Sequence, residues 1–367
     1  MNKSRERDKI LIFPAGMPRS IEFQHRCERE GIATIGASSV INDPAKSLYR
    51  EWRSLPYVVA PDFVSALAAL AADDEITGIF SPNLVVWNLL AEQLPQLGLN
   101  LVLVNGSPAE AEIAPYLAAQ ARAKRAADNP LQIAANRVAA EGATLADLSA
   151  IYRSVDTVPG MCDHDKMDAL CEVLRYVPSG DVVEIGSWWG KSAVLLRLLS
   201  QQYKVGALLC VDPWQDVHLL QADSKVVDET AKKISADTAF HVFVMNLLPI
   251  AQGHANYLRM PSVNASTVYR ATSEVVSAEF GVTTYRGEIA LLHIDGNHDY
   301  DAVKADIESW GSMVCRHGGW IVFDDYVWAF GDGPKRVADE FLQAGALSIA
   351  CAFVMGTALF VQLGADA

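Results

Sequence analysis

The chain has 367 residues, 51% hydrophobic and 20% charged, and a length beyond the ~250–300 residues at which single cores stop growing predicts two domains. Its formal charge of −14 argues against nucleic acid or an anionic membrane as the main partner, because both reward basic patches. Six cysteines without a C-x-x-C pair read as reduced core residues of a cytoplasmic protein, neither a zinc site nor a disulfide frame.

In chain order, Met1–Asp8 is polar and charged, with no apolar stretch of a signal peptide. Strands are expected at Lys9–Pro14, Gly31–Gly36, Pro56–Ala60, Ile76–Phe80 and Asn100–Asn105. Helices are expected at Ser20–Glu30, Asp62–Ala72, Leu84–Leu94 and Pro108–Ala127. This alternation predicts a small parallel α/β domain over residues 1–127. Its first turn, Pro14 to Ser20, has one glycine where a dinucleotide fingerprint has three, which is little support for a nucleotide site. Residues 128–178 turn Ala-rich and predict a helical connector (Leu131–Glu141, Leu145–Arg153, Asp165–Tyr176). It carries too many Leu and Ile for a disordered linker.

From residue 179 the alternation resumes, with strands near 181–186, 207–212, 255–260, 288–295 and 318–324, then a pair at 347–353 and 357–362. That layout predicts a doubly wound sheet with an antiparallel last strand. Ala346–Leu363 is charge-free and long enough to span a bilayer, but its β-branched and aromatic content, the Gly356-Thr357 break and Gln362 favour two strands.

Four of these strands end in acids: Glu184 with the turn Gly186-Ser-Trp-Trp-Gly190, Asp212, Asp295, and Asp324-Asp325. In an open α/β sheet ligands sit at the carboxyl ends of the strands, so these acids are expected to face one crevice. Gly186 and Gly190 let the backbone approach a ligand, and Glu184 offers an acceptor.

The motifs Val183-Glu-Ile-Gly-Ser-Trp-Trp-Gly-Lys-Ser192, Val211-Asp-Pro-Trp214, Ile294-Asp-Gly-Asn-His-Asp-Tyr300 and Gly318-Gly-Trp-Ile-Val-Phe-Asp-Asp-Tyr326 give residues 160–363 a resemblance to class I S-adenosylmethionine-dependent methyltransferases. Within that class the chain resembles the metal-dependent macrocin- and mycinamicin-type sugar O-methyltransferases, with the catechol O-methyltransferases more distant. The resemblance implies an α/β fold with a C-terminal doubly wound, Rossmann-like, seven-stranded methyltransferase sheet over 179–367. It implies that Glu184, Gly186 and Gly190, with Ser187 and Trp188 in the same loop, cradle the methionine part of S-adenosylmethionine, that Asp212 binds the ribose, and that Arg259 and Ser262 stand where such folds contact the adenine. Asp295, Asp324 and Asp325 match the metal-ligand positions, Asp295 also lying at the cofactor, and His298 matches the general base. The catechol enzymes have asparagine where Asp325 stands. The N-terminal region is faintly similar to the α/β domain that precedes an ATP-grasp core in some ligases, but no such core follows.

The implied chemistry is coherent. An all-carboxylate site suits Mg²⁺, or Mn²⁺ or Ca²⁺, which would bind two neighbouring substrate oxygens and lower the pKa of one while His298 takes the proton. Each residue also has a plainer use: a strand-end Asp caps helices, adjacent Asp324 and Asp325 point to opposite faces of a regular strand, His298 can be an ordinary loop histidine, and His293 reads as a satisfied core histidine. Trp188 and Trp189 wall a cleft or merely start a surface helix. Gly186 to Ser192 also resembles a P-loop, but it is one residue short between its glycines and bulky where amides must wrap phosphate. The expectation is a cytoplasmic enzyme, O-methylating a small oxygen-rich metabolite in natural-product biosynthesis and assembling as a homo-oligomer, its first domain serving substrate recognition or self-association. N-methylation on the same scaffold and a non-catalytic cofactor-binding module are the alternatives.

Overall fold

A computed structural model describes residues 9–97, 101–219, 229, 233–345 and 347–364. Met1–Asp8, Asn100 and Ala346 of the expectations above lie outside the described residues. The chain divides into two compact units, 1–117 and 118–367.

In the first unit, β1 (Lys9–Ile12), α1 (Pro18–Glu30), β2 (Ala33–Ser38), β3 (Trp52–Ser54), α2 (Phe63–Asp73), β4 (Gly78–Phe80), α3 (Leu84–Gln93) and β5 (Val102–Leu103) follow in order. The strands form a sheet of order β3-β2-β1-β4-β5 with every pairing parallel. α1 opens with Pro18 and closes on Gly31 at φ 71, the start and stop chemistry that its sequence carries. The strand expected at Pro56–Ala60 is a turn, and Trp52–Ser54 takes its place in the sheet. Pro56 lacks the N–H a ladder position needs, so the backbone ladder ends with Leu55 N donating to the Ser38 carbonyl, and the Pro56 carbonyl accepts from the Ser39 hydroxyl.

The boundary between the units falls inside α4 (Pro108–Asp128). In the second unit, α5 (Leu145–Asp156) starts in a Thr144/Asp147 capping box and α6 (His164–Val173) on an Asp163 cap. Between α4 and α5 the expected helix Leu131–Glu141 is absent. The chain runs without regular structure there, with Leu131, Ile133 and Ala135 half-buried against the core and the residues between them exposed, and it hydrogen-bonds through Asn136 to Gln362 and through Ala140 to Arg175. A period of two in the burial, not Ala content, decided the local conformation.

Then come β6 (Asp181–Ile185), α7 (Lys191–Gln202), β7 (Leu208–Val211), α8 (Ala236–Ala251), β8 (Ala255–Leu258), α9 (Ser262–Ala271), a β9/β10 hairpin (Glu274–Ser277, Gly281–Thr284), β11 (Ile289–Ile294), α10 (Tyr300–Trp310), β12 (Trp320–Phe323), α11 (Gly333–Gln343), β13 (Ile349–Met355) and β14 (Ala358–Leu363). All seven expected strands join one sheet of order β13-β14-β12-β11-β6-β7-β8, in which β14 runs antiparallel to both neighbours. The hairpin was not anticipated. β6, β11, β12 and β14 are buried along their whole length, which is why they read as continuous apolar runs. Val182 faces one core and Val183 the other, so both faces of the sheet are covered. β13, the edge strand, alternates half-buried and exposed, and with β14 it makes the charge-free C-terminal stretch a β-hairpin. Among the described residues no helix is long and apolar enough to cross a membrane.

Candidate active site

The carboxyl ends of β6, β7, β11 and β12 bring the predicted acids to one side of the sheet. Gly186 follows β6 at φ 83, and a Cβ there would lie 2.0 Å from the Asp295 carbonyl. The glycine therefore serves the approach of the β6 loop to the end of β11, a tie between two halves of the site. Trp188 in the same loop also has positive φ, 45, a strained conformation for an aromatic residue.

The two acids assigned to the cofactor hold the loop in shape. Glu184, fully buried, accepts from Ser187 Oγ at 2.6 Å and faces His293 Nδ1 at 3.3 Å. Asp212 accepts from the backbone N–H groups of Ser187 (3.1 Å), Trp188 (3.0 Å) and Trp214 (2.8 Å); burial raises its pKa and those bonds hold it down. Trp188 and Trp189 are half-buried against the core, and the indole of buried Trp214 donates to the Trp188 carbonyl at 2.9 Å. Gly190 is the N-cap of α7. Arg259 sits over the Phe240 ring at 4.3 Å and bonds Asp237 and the Trp214 carbonyl. Ser262 Oγ accepts from Trp310 Nε1 at 2.9 Å and hydrogen-bonds the buried Asp306. Burial pushes the Asp306 carboxyl up to about 7, the Ser262 bond opposing it.

The structure divides the three expected metal ligands. Asp324, almost wholly buried, makes a charge-assisted hydrogen bond with Lys166 Nζ, which reaches it from α6. Its other oxygen accepts from Asp325 N (2.9 Å) and faces Thr357 Oγ1 at 3.0 Å, and His293 Nε2 lies 3.5 Å from the carboxylate. Asp325 has φ 50, the turn that two adjacent strand-end acids need to reach one region, and its Oδ2 meets His298 Nε2 at 2.9 Å. Among the described residues, two sets have ligand atoms close enough for one ion: His293, Asp295 and Asp324, and Asp295, His298 and Asp325. The all-carboxylate set Asp295, Asp324, Asp325 is not one of them. Each observed set brings a ring nitrogen, and the one containing Asp324 also holds an ammonium, so neither fits the oxygen cage that Mg²⁺ takes.

Electrostatics sorts the acids. Burial is the largest influence on Asp324 and would raise it, but Lys166 and His293 hold it well below the usual carboxylate range. Burial, then the Asp324 charge, lifts Asp295 well above that range. Desolvation would lower Lys166, yet Asp324 and Asp295 keep it well above its ordinary value. His293 is likewise opposed by burial and raised by the neighbouring carboxylates of Asp324 and Glu184. The plain core histidine of the sequence reading thus links the cofactor loop to the β12 acid. Lys166 and Thr357 escaped that reading, because neither lies near a motif and only the fold brings α6 and the β13–β14 turn to the strand ends.

Residues 183–326 match a protein family described as a methyltransferase domain. Solved structures similar to the chain include the O-methyltransferase NovP (17% identity, 69% of this chain and 99% of that one, TM-score 0.38). Others are cofactor-bound Rv0187 from MTB (15%, 60% and 91%, 0.37) and an O-methyltransferase family protein from Burkholderia thailandensis (11%, 83% and 89%, 0.32). The family match lies within the second unit and takes in most of its seven-stranded, Rossmann-like sheet.

Proposed function

We propose that this domain methylates a hydroxyl of a small, oxygen-rich metabolite, with His298 as the base. The observation that carries the reading is the His298–Asp325 pair at 2.9 Å. A carboxylate can only accept, so Nε2 carries the proton and Nδ1 keeps its lone pair; Nδ1 has no hydrogen-bond partner among the described residues. The acceptor hydroxyl delivers its proton to Nδ1 as the oxygen attacks, and Asp325 stabilises the imidazolium. S-adenosylmethionine, when bound, supplies an electrophilic methyl on a sulfonium centre. The partly exposed carboxyls of Asp295 and Asp325 suit that cationic cofactor, and the loop held by the buried Glu184 and Asp212 shapes the edge of the crevice. Trp328, 4.5 Å from the His298 ring, and Phe330 form an aromatic wall suited to a ring bearing hydroxyls, such as a sugar or phenol in natural-product biosynthesis.

A hydroxyl needs a base and a neutral amine does not, so the dyad favours oxygen over nitrogen. Among the described residues the expected divalent ion finds no all-carboxylate set. Six free cysteines support a cytoplasmic setting, and the first unit is left for acceptor recognition or self-association.

The test is calorimetric binding of S-adenosylmethionine, followed by mass-spectrometric detection of S-adenosylhomocysteine across a panel of polyhydroxylated acceptors and matched amines. Absence of cofactor binding would remove the reading, and turnover with amines alone would move the acceptor to nitrogen.

A further inference from the structure

We propose that Lys166 is a built-in cation that takes the place of a divalent ion at the Asp295–Asp324 pair, so that the reaction centre holds its acids together without metal. The lysine is 1% exposed, is hydrogen-bonded to Asp324 Oδ2, and lies 3.8 Å from Asp295 Oδ2. An ion bridging those two carboxylates at ligand distances of ~2.0–2.6 Å needs the space that the ammonium fills. Without any cation, two carboxyls this close repel, and only protonation relieves them. One fixed positive charge meets the same need.

The lysine is also fixed in place. It is the third residue after the Asp163 cap of α6, and Asp163 Oδ1 accepts from Lys166 N at 2.8 Å. Asp163 Oδ2 accepts from Thr357 N at 3.2 Å and lies 3.0 Å from Thr357 Oγ1 in the β13–β14 turn. That turn passes so close that a Cβ on Gly356 would sit 2.2 Å from Asp163 Oδ1. Thr357 Oγ1 is 3.0 Å from Asp324 as well. The cap, the turn and the β12 acid thus form one connected unit around Lys166 Nζ. Withdrawing the ammonium to admit a metal means breaking the Asp324 pair while α6 stays pinned. Lys166 is a positioning residue: it holds Asp324 and Asp295 in place and is itself out of reach of a substrate.

The experiment uses the full chain with S-adenosylhomocysteine, titrating Mn²⁺ by electron paramagnetic resonance and following thermal denaturation with and without Mn²⁺. The parent protein is expected to bind no stoichiometric Mn²⁺ at submillimolar concentration and to melt at the same temperature in Mn²⁺ and in chelator. Lys166→Met, which removes the ammonium and keeps an unbranched side chain one atom shorter, is expected to melt lower, to gain Mn²⁺ affinity by ~10-fold or more, and to recover melting temperature when Mn²⁺ is added. A merely structural lysine would give the loss without the metal-specific recovery. A folded Lys166→Met that ignores Mn²⁺ overturns the proposal. If that variant does not fold, the parent titration decides: stoichiometric Mn²⁺ binding that Asp324→Asn abolishes overturns the proposal, and a parent without such binding upholds it.

Discussion

The two units solve the same architectural problem and finish it differently. Each has a sheet with parallel strands at its centre and helical crossovers, and each presents the carboxyl ends of its central strands. In the second unit those ends carry Glu184, Asp212, Asp295, Asp324 and Asp325, tied to two histidines and a buried lysine. In the first they carry amides and hydroxyls. Asn105 exchanges hydrogen bonds with the backbone of Ser81 in both directions, at 2.9 and 2.8 Å, and Tyr49 donates to the Ala15 carbonyl at 2.9 Å. The nearby acid Asp43 caps the short 3₁₀ turn at Pro44–Leu48. Similar scaffolds therefore differ in whether strand ends hold ionisable groups or merely satisfy the backbone, and chemistry belongs to the former.

The sharpest way to break the comparison is to remove the base. His298→Ala is expected to lower turnover by ~10²–10⁴ with cofactor affinity unchanged, since proton transfer acts in the transition state. Steady-state rates on an accepted substrate, together with calorimetric titration of S-adenosylhomocysteine, check both halves. Near-parental turnover would return His298 to an ordinary loop residue and leave the strand-end acids without a catalytic partner.

The next effect falls on stability. Asp324→Asn leaves Lys166 buried beside a neutral amide, and removing one partner of a buried pair destabilises by about 3–5 kcal/mol. Urea denaturation of the full chain measures it. A loss below ~1 kcal/mol would mean that the pair is exchangeable surface chemistry, in conflict with its burial.

Asp306 gives a pH signature of comparable size. Its carboxyl titrates at about 7 in the folded protein and near ~3.9 in an unfolded chain. Between those values the native state holds a proton that the unfolded state has released, so stability is full below pH ~4 and falls as pH rises to 7, by at most about 4 kcal/mol. Asp306→Asn removes the dependence. Melting temperatures from pH 5 to pH 8 should therefore diverge in the variant's favour as pH rises, and parallel curves would contradict the raised value.

What the sequence disclosed follows the same division. Strands buried on both faces and ending in acids announce themselves as apolar runs with abrupt punctuation, so all seven strands of the second sheet, and the crevice acids, were legible. Lys166 was not, because a lysine among the polar residues of an Asp-capped helix looks like a solvated one until the β13–β14 turn is seen to pin that helix over Asp324. The segment Leu131–Glu141 misled for the converse reason: Ala-rich composition favours helix locally, but its alternating side chains found a hydrophobic surface to lie on. At Pro56–Ala60 the apolar pair Val58-Val59 suggested a strand that the missing N–H of Pro56 prevents.

The smallest expected effects test the quieter unit. Asn105 satisfies both the N–H and the C=O of Ser81, while its own carbonyl accepts from Trp87 Nε1 at 3.0 Å. Asn105→Ala strands the Ser81 backbone groups and is expected to destabilise by about 1–3 kcal/mol. Ser81 Oγ, on the side chain of the same residue, is buried and has no hydrogen-bond partner among the described residues. A hydroxyl that has already lost water without gaining a partner contributes no hydrogen bond to lose, so Ser81→Ala is expected within ~0.5 kcal/mol of the parent, on the stabilising side if anything. Both variants should bind S-adenosylmethionine with parental affinity, since the acids that border the proposed cofactor crevice all belong to the other sheet. If Ser81→Ala proved strongly destabilising, Oγ would have a partner in solution, and the strand ends of the first sheet would then hold a polar group engaged beyond the backbone, which is the distinction that sets the second sheet apart.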